Sequence, residues 1–137
     1  MRTFAFLAAV SFSTACFAQY PTKPPRLLVG FVPGGGVDQT ARITVAGLAP
    51  IWNQQIVVEN KTGAGGTIAA ELVAKSPADG YTLVLCNIGS HGIGPSLYKK
   101  LGYDPIADVT HIGLIGVTPN VLAVHPSVPA SNVAEFI

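Results

Sequence analysis

An α/β fold with a parallel or mixed sheet flanked by helices is what this sequence predicts, and two observations carry the prediction. Short aliphatic runs recur at 26–31 (RLLVGF), 55–59 (QIVVE) and 81–86 (YTLVLC), each followed by a glycine-containing segment. Between them lie stretches with apolar residues at helical spacing or a short helical composition. Strand alternating with helix sets successive strands parallel, because each crossover returns the chain to the same end of the sheet.

The elements follow in order. Met1-Arg2 is a short positive start, Phe4–Val10 is unbroken apolar, and Cys16-Phe17-Ala18 approximates the small-x-small pattern before a cleavage point. Residues 1–18 are therefore expected to be a secretory signal peptide cut after Ala18. The stretch from Phe4 to Ala18 is too short to cross ~30 Å of hydrocarbon at ~1.5 Å per residue. Ser13-Thr14-Ala15-Cys16 lacks the large aliphatic residue of a lipoprotein cleavage site. Cys86 would then be the only thiol of the mature chain, expected buried and inert, with no intramolecular disulfide.

Arg26–Phe31 reads as a buried strand stopped by Pro33-Gly34-Gly35-Gly36. Asp38–Trp52 reads as a helix with Ala41, Val45, Leu48 and Trp52 on one face, broken near its end by Pro50. Gln55–Glu59 is a second strand, Thr67–Ala74 a short helix, Pro77–Gly80 a turn and Tyr81–Cys86 a third strand. A loop over Asn87–Pro95 and a helical turn near Ser96–Lys99 follow. Thr110–Val117 and Val121–Val124 are further strand candidates, and Ser131 is the expected N-cap of a last helix in which Glu135 favours the helix dipole. The sequence stops inside that helix, so a fragment is expected.

Composition narrows the function classes. Hydrophobic residues make up 49% and charged residues 11% of the chain, so there is material for a core and a disordered tail is not predicted. Removing residues 1–18 takes away Arg2 and no acid, leaving seven basic against seven acidic side chains. A neutral body has no field with which to replace the counterions of a polyanion, so no nucleic-acid partner is expected.

The chemistry-bearing residues lie in loops after the strands. Phe31-Val32-Pro33-Gly34-Gly35-Gly36-Val37-Asp38 joins the first strand to the first helix, where helix amides face the crevice at the strand ends. Glycines let the backbone approach a ligand, and the free amides with the positive helix end suit an anion. Asp38 is read chiefly as a stabiliser of the helix start, since its charge would repel a carboxylate. The glycines fit neither G-x-x-x-x-G-K-[ST] nor G-x-G-x-x-G, so no nucleotide cofactor is expected. Asn60–Thr67 and Asn87–Gly92 occupy equivalent positions after the second and third strands, so three loops should converge on one crevice. Gly89, Ser90 and His91 lie in the third. Ser90-His91 raises an exported serine hydrolase as an alternative, but Ile88 stands where a G-x-S-x-G elbow needs glycine, and neighbouring side chains are expected to point apart. His91, His111 and His125 lack metal-ligand spacing.

Tyr20–Pro24, Gly30–Arg42 (GFVPGGGVDQTAR), Val57–Gly66 (VVENKTGAGG), Ala78–Leu85 (ADGYTLVL), Pro95–Asp104 (PSLYKKLGYD) and Pro119–Ile137 resemble, in order, the substrate-binding receptors of tripartite tricarboxylate transporters, the Bug receptors. The resemblance implies a type II-like periplasmic binding protein of two lobes. Residues 19–120 would be the first lobe and 121–137 the crossover and start of the second, with most of that lobe missing. It implies a small organic carboxylate (tricarboxylate, dicarboxylate or amino-acid type) held by Phe31, Gly34, Gly35, Gly36, Asp38, Gly89, Ser90 and His91, partly through waters. It also implies delivery to integral-membrane permease subunits, with no metal, no cofactor and no catalysis. Two departures stand out. Lys61-Thr62 replaces the common Arg-Pro, and Ser90-His91-Gly92-Ile93-Gly94 replaces Thr-His-Ala-x-Asn. Losing an amide at Gly94 alters a contact worth ~1 kcal/mol. A nonfunctional truncated receptor is the other alternative to the transport reading.

Overall fold

The computed structural model describes residues 20–119 and 121–137; the expected signal peptide, 1–18, lies outside them. Strands β1 (Arg26–Val29), β2 (Val57–Asn60) and β3 (Thr82–Leu85) form a parallel sheet in the order β2-β1-β3. Arg26 pairs with Val57 on one side and Thr82 on the other, and Val29 with Asn60 and Leu85. All three predicted strands form with four residues each; the second also shifts, losing Gln55 and Ile56 and gaining Asn60.

β1 is central and buried on both faces, which explains its unbroken aliphatic run. Leu27 and Val29 pack with Ala41 and Ile56 in the core, and Phe31, Val37, Val45, Leu48, Trp52 and Leu83 close around them. Leu28, pointing the other way, is 2% exposed. Helix α2 (Thr67–Ala74), formed over the predicted residues, contacts β1 and β3 and buries Ala69 and Ala70.

Helix α1 runs from Gly36 to Trp52 and lays Val37, Ala41, Val45, Leu48 and Trp52 on the core. Pro50 does not break it. The helix ends at Asn53, whose left-handed backbone (φ 49°) lets its N–H cap the Ala49 carbonyl. Pro50 lacks only one donor in the final turn, so the helix runs past it.

Three other expectations change. The loop after β3 is a wide, π-type helical turn, Ile88–Ile93, running into the short helix α3 (Gly94–Leu97). The last helix, α4 (Val133–Phe136), is capped by Asn132 rather than Ser131, the Asn132 Oδ1 accepting the Glu135 N–H at 3.1 Å. Residues 110–117 and 121–124 form no strand; Ile112, Leu114, Val117, Val121 and Leu122 are exposed. An apolar run makes no ladder bonds without a partner strand, and none of the described strands lies beside it.

Candidate functional site

Parallel strands bring the loops at their carboxyl ends to one edge of the sheet, and here the three loops touch. Gly66 is their meeting point. A Cβ on Gly66 would lie 3.2 Å from Asn87 Nδ2, 3.4 Å from the Phe31 ring and 3.7 Å from Ser90 Cβ. Gly66 has φ 95°, a left-handed conformation suited to glycine. A Cβ on Gly89 would stand 2.9 Å from the Gly65 carbonyl oxygen, so the third loop also rests on the second.

The first loop divides its glycines between two tasks. Gly34 (φ 81°) donates its N–H to Asp38 Oδ2 at 2.9 Å, and the Gly35 N–H goes to the Val32 carbonyl at 3.2 Å. Gly34 and Gly35 therefore shape the turn. The Gln39 N–H opens the helical ladder by donating to the Gly35 carbonyl at 2.9 Å. The amides of Gly36, Val37 and Asp38 precede that bond and have no acceptor among the described residues. The Asp38 amide is shut in by burial; those of Gly36 and Val37, with the positive end of α1, form the anion-attracting feature.

Asp38 is 1% exposed and does not cap the helix by the usual N-cap bond. Its carboxylate accepts from Arg42 Nε at 2.8 Å, Arg42 Nη2 at 3.1 Å, the Gly34 N–H and Asn60 Nδ2 at 2.8 Å. The Arg42 bond is the largest cause, followed by Gly34 and Asn60, of a carboxyl held far below its ordinary range. Arg42 also neutralises the charge that would otherwise oppose an incoming anion. Phe31 offers its carbonyl to Asn60 Nδ2 at 3.0 Å and its ring to the Gly66 junction.

In the third loop Asn87 Oδ1 accepts the Ser90 N–H at 3.0 Å, and the Tyr103 hydroxyl donates to the Ser90 carbonyl at 2.6 Å. Ser90 Oγ and His91 Nδ1 are 2.9 Å apart, contrary to the expectation that adjacent side chains diverge. The segment is a wide helical turn, so neighbours project less than the ~100° of an α-helix apart, not the ~180° of a strand. The Asn87 carbonyl is 3.2 Å from Ser90 Oγ. Most hydrogen bonds form when the hydroxyl donates to that carbonyl and Nδ1–H donates to the hydroxyl. His91 Nε2 is then a buried acceptor without a partner among the described residues. Gly94 donates its N–H to the Gly89 carbonyl, and a Cβ there would lie 2.8 Å from that oxygen, so a larger residue at 94 would force the turn open.

Burial first, and His111 second, lower the His91 pKa. Its ring lies 5.8 Å from that of His111 and 5.9 Å from that of Tyr103. A depressed histidine supports stability fully above about pH 6.5 and loses that support as pH falls through its folded value. Melting should therefore show stability falling between pH 7.5 and 5, because the unfolded chain takes up the proton before the folded one does. His91→Gln should flatten that part of the profile; an unchanged slope would refute the assignment to His91.

Cys86 is exposed, not buried, because β3 ends at Leu85 and the chain leaves the sheet there. Among the described residues no cluster of three or more His, Cys, Asp or Glu side chains could hold a metal, and no helix is long and apolar enough to cross a membrane. A shallow cavity of about 260 Å³ between Leu122, Val124 and Phe136 includes none of the three loops. Arg42, Asn60, Asn87 and Tyr103 bond directly to the candidate residues and were not singled out from the sequence. Arg42 stands four residues after Asp38 and Asn87 three before Ser90, spacings that point to the bonds seen; Tyr103 gives no such signal.

The family model of the tripartite tricarboxylate transporter family receptor matches residues 40–137. A UPF0065 protein of Bordetella pertussis is 35% identical over 138 residues, covering 100% of this chain and 42% of that protein. Rpa4515 of R. palustris, solved with adipate, superposes with a TM-score of 0.78 at 40% identity, covering 85% of this chain and 39% of its own. The periplasmic binding protein BugD matches with a TM-score of 0.62 at 42% identity, covering 65% and 29%. MatC of Rhodopseudomonas palustris, solved with malate, gives 0.62 at 40% identity, covering 65% and 30%. This chain thus spans less than half the length of each of these proteins. Its parallel sheet with flanking helices belongs to the periplasmic-binding-protein fold, and the chain is a member of the tripartite tricarboxylate transporter receptor family.

Proposed function

We propose that this chain is the solute-facing part of an extracytoplasmic receptor that binds a small organic carboxylate and delivers it to the permease of a tripartite transporter. The observation that carries this reading is the pair of unpaired amides of Gly36 and Val37, which open α1 in the loop whose Phe31 packs at the Gly66 junction. Backbone N–H groups at a helix start bind carboxylate oxygens without a charged side chain. Rpa4515 with adipate and MatC with malate supply the dicarboxylate class. Residues 1–18 act as the export signal, cut near Ala18, and residues 19–120 form the first lobe, with 121–137 leading toward a second. Transport then works by closure on the solute, a shift toward a form that the permease recognises.

The contact between Ser90 and His91 favours a hydrolase enough to weigh it. Ser90 is 1% exposed, so a substrate carbonyl does not reach its hydroxyl. Among the described residues no carboxylate bonds to His91 Nε2 to orient the ring as a base. Burial and the missing third partner support a structural role.

Thermal-shift titration of the chain with adipate, malate and citrate, against a neutral sugar, tests the proposal. A carboxylate at ~100 times its Kd should add ~2.7 kcal/mol, and the sugar nothing. Stabilisation by the sugar and by none of the acids would remove the carboxylate assignment.

A further inference from the structure

Asn60 closes strand β2, and its side-chain amide reaches back into the first loop. Nδ2 donates to the Phe31 carbonyl at 3.0 Å and to Asp38 Oδ1 at 2.8 Å, using both of its protons on the same loop. Asp38 Oδ2 holds the Gly34 N–H at 2.9 Å, and both Asp38 oxygens engage Arg42. One partly buried chain of bonds, centred on buried Asp38, therefore runs from the end of β2 to the turn that precedes α1. Lys61, the next residue, donates its N–H to the Val29 carbonyl at 2.8 Å, which fixes the direction in which Asn60 leaves the strand.

We infer that Asn60 is a positioning residue for the solute site. It sets the first loop through Phe31 and Asp38, and so orients the free amides of Gly36 and Val37. An amide side chain suits the position because it donates twice and carries no charge. A carboxylate there would face Asp38 with like charge, and a hydroxyl could donate only once. The same residue begins the loop that continues to Gly66, against which the first and third loops pack. The first and second loops are thus tied at two places, and Asn60 is the polar tie.

The inferred role rests on the carboxylate-receptor reading, but its test needs no ligand, so the two can fail separately. Amide hydrogen exchange is measured by NMR on the whole chain, unsubstituted and with Asn60→Asp. At pH 8 the variant sets two carboxylates together, and Gly34 protection should fall ~10–100-fold, the scale of a hydrogen bond to a charged group. By pH 5 the pair should share a proton, since like-charged carboxyls raise one pKa, and the protonated carboxyl can donate to its neighbour. Gly34 protection should then recover in part, while the sheet amide of Leu28 changes far less at both pH values. Unchanged Gly34 protection, or a loss equal to that of Leu28 with no recovery at pH 5, would overturn the role. Should the variant not fold, the unsubstituted chain decides. The Asn60 side-chain amide protons should exchange at least ~10-fold more slowly than those of exposed Asn53, and equal rates would overturn the inference.

Discussion

Gly30→Ala is expected to destabilise the chain by about 3 kcal/mol, the upper end of overpacking costs. A methyl group on Gly30 would overlap Gly66 Cα and lie 3.2 Å from the Gly66 carbonyl carbon and oxygen. These are backbone atoms, so no rotamer change relieves the contact. Nor can Gly66 retreat freely, because Asn87, Phe31 and Ser90 stand within 4 Å of the position of its missing Cβ. The strain should therefore spread into all three loops, lowering the melting temperature by ~10 °C and disturbing the site together with the sheet. Circular dichroism melting checks the first effect. A melt within about 1 °C of the parent would show that the loops separate easily.

Leu28→Ala should cost about 2–5 kcal/mol, the usual loss for deleting a buried leucine side chain. Leu28 is 2% exposed on the face of β1 opposite the core cluster of Leu27 and Val29, where α2 covers the sheet. Its truncation removes apolar contact from the central strand, with β2 and β3 already occupying both edges. Val57→Ala is the control, since Val57 is 46% exposed and should change stability by less than about 0.5–1 kcal/mol. Urea unfolding followed by fluorescence distinguishes the two. Equal midpoints would mean that the α2 face contributes little to the fold.

The strand–helix alternation was legible because burial leaves a mark on local composition. β1 is buried on both faces and reads as an aliphatic run, and α1 carries its core contacts at helical spacing. Thr67–Ala74 matched to the residue because a glycine loop precedes it and its last turn meets Lys75-Ser76-Pro77. The runs at 110–117 and 121–124 have strand composition too. Composition records a tendency to be covered, whereas a strand exists only when a neighbour accepts its hydrogen bonds.

Asn87–Pro95 misled for a related reason. Its glycines suggested an irregular loop, but the Asn87 side chain captures the Ser90 N–H and starts a helical turn. That turn set Ser90 beside His91 and turned a diverging pair into a bonded one. Cys86, one residue beyond β3, lost its expected burial in the same way, through where an element stopped.

The Phe31–Asp38 loop divides the two kinds of knowledge most clearly. Its glycines, its place between strand and helix, and the equivalent placing of Asn60–Thr67 and Asn87–Gly92 are properties of the chain read in order. They determined that three glycine-bearing loops would share one edge of a parallel sheet and suit an anion. Tertiary structure alone decided that Gly34 and Gly35 shape the turn while Gly36 and Val37 keep free, accessible amides. It alone brought Asn60, twenty-two residues on, to the Asp38 carboxylate, and Tyr103, thirteen residues on, to the Ser90 carbonyl. The reason is physical. Local composition governs which backbone shapes a segment can adopt, but the pairing of a polar group depends on which distant partner the packed sheet carries to within about 3 Å.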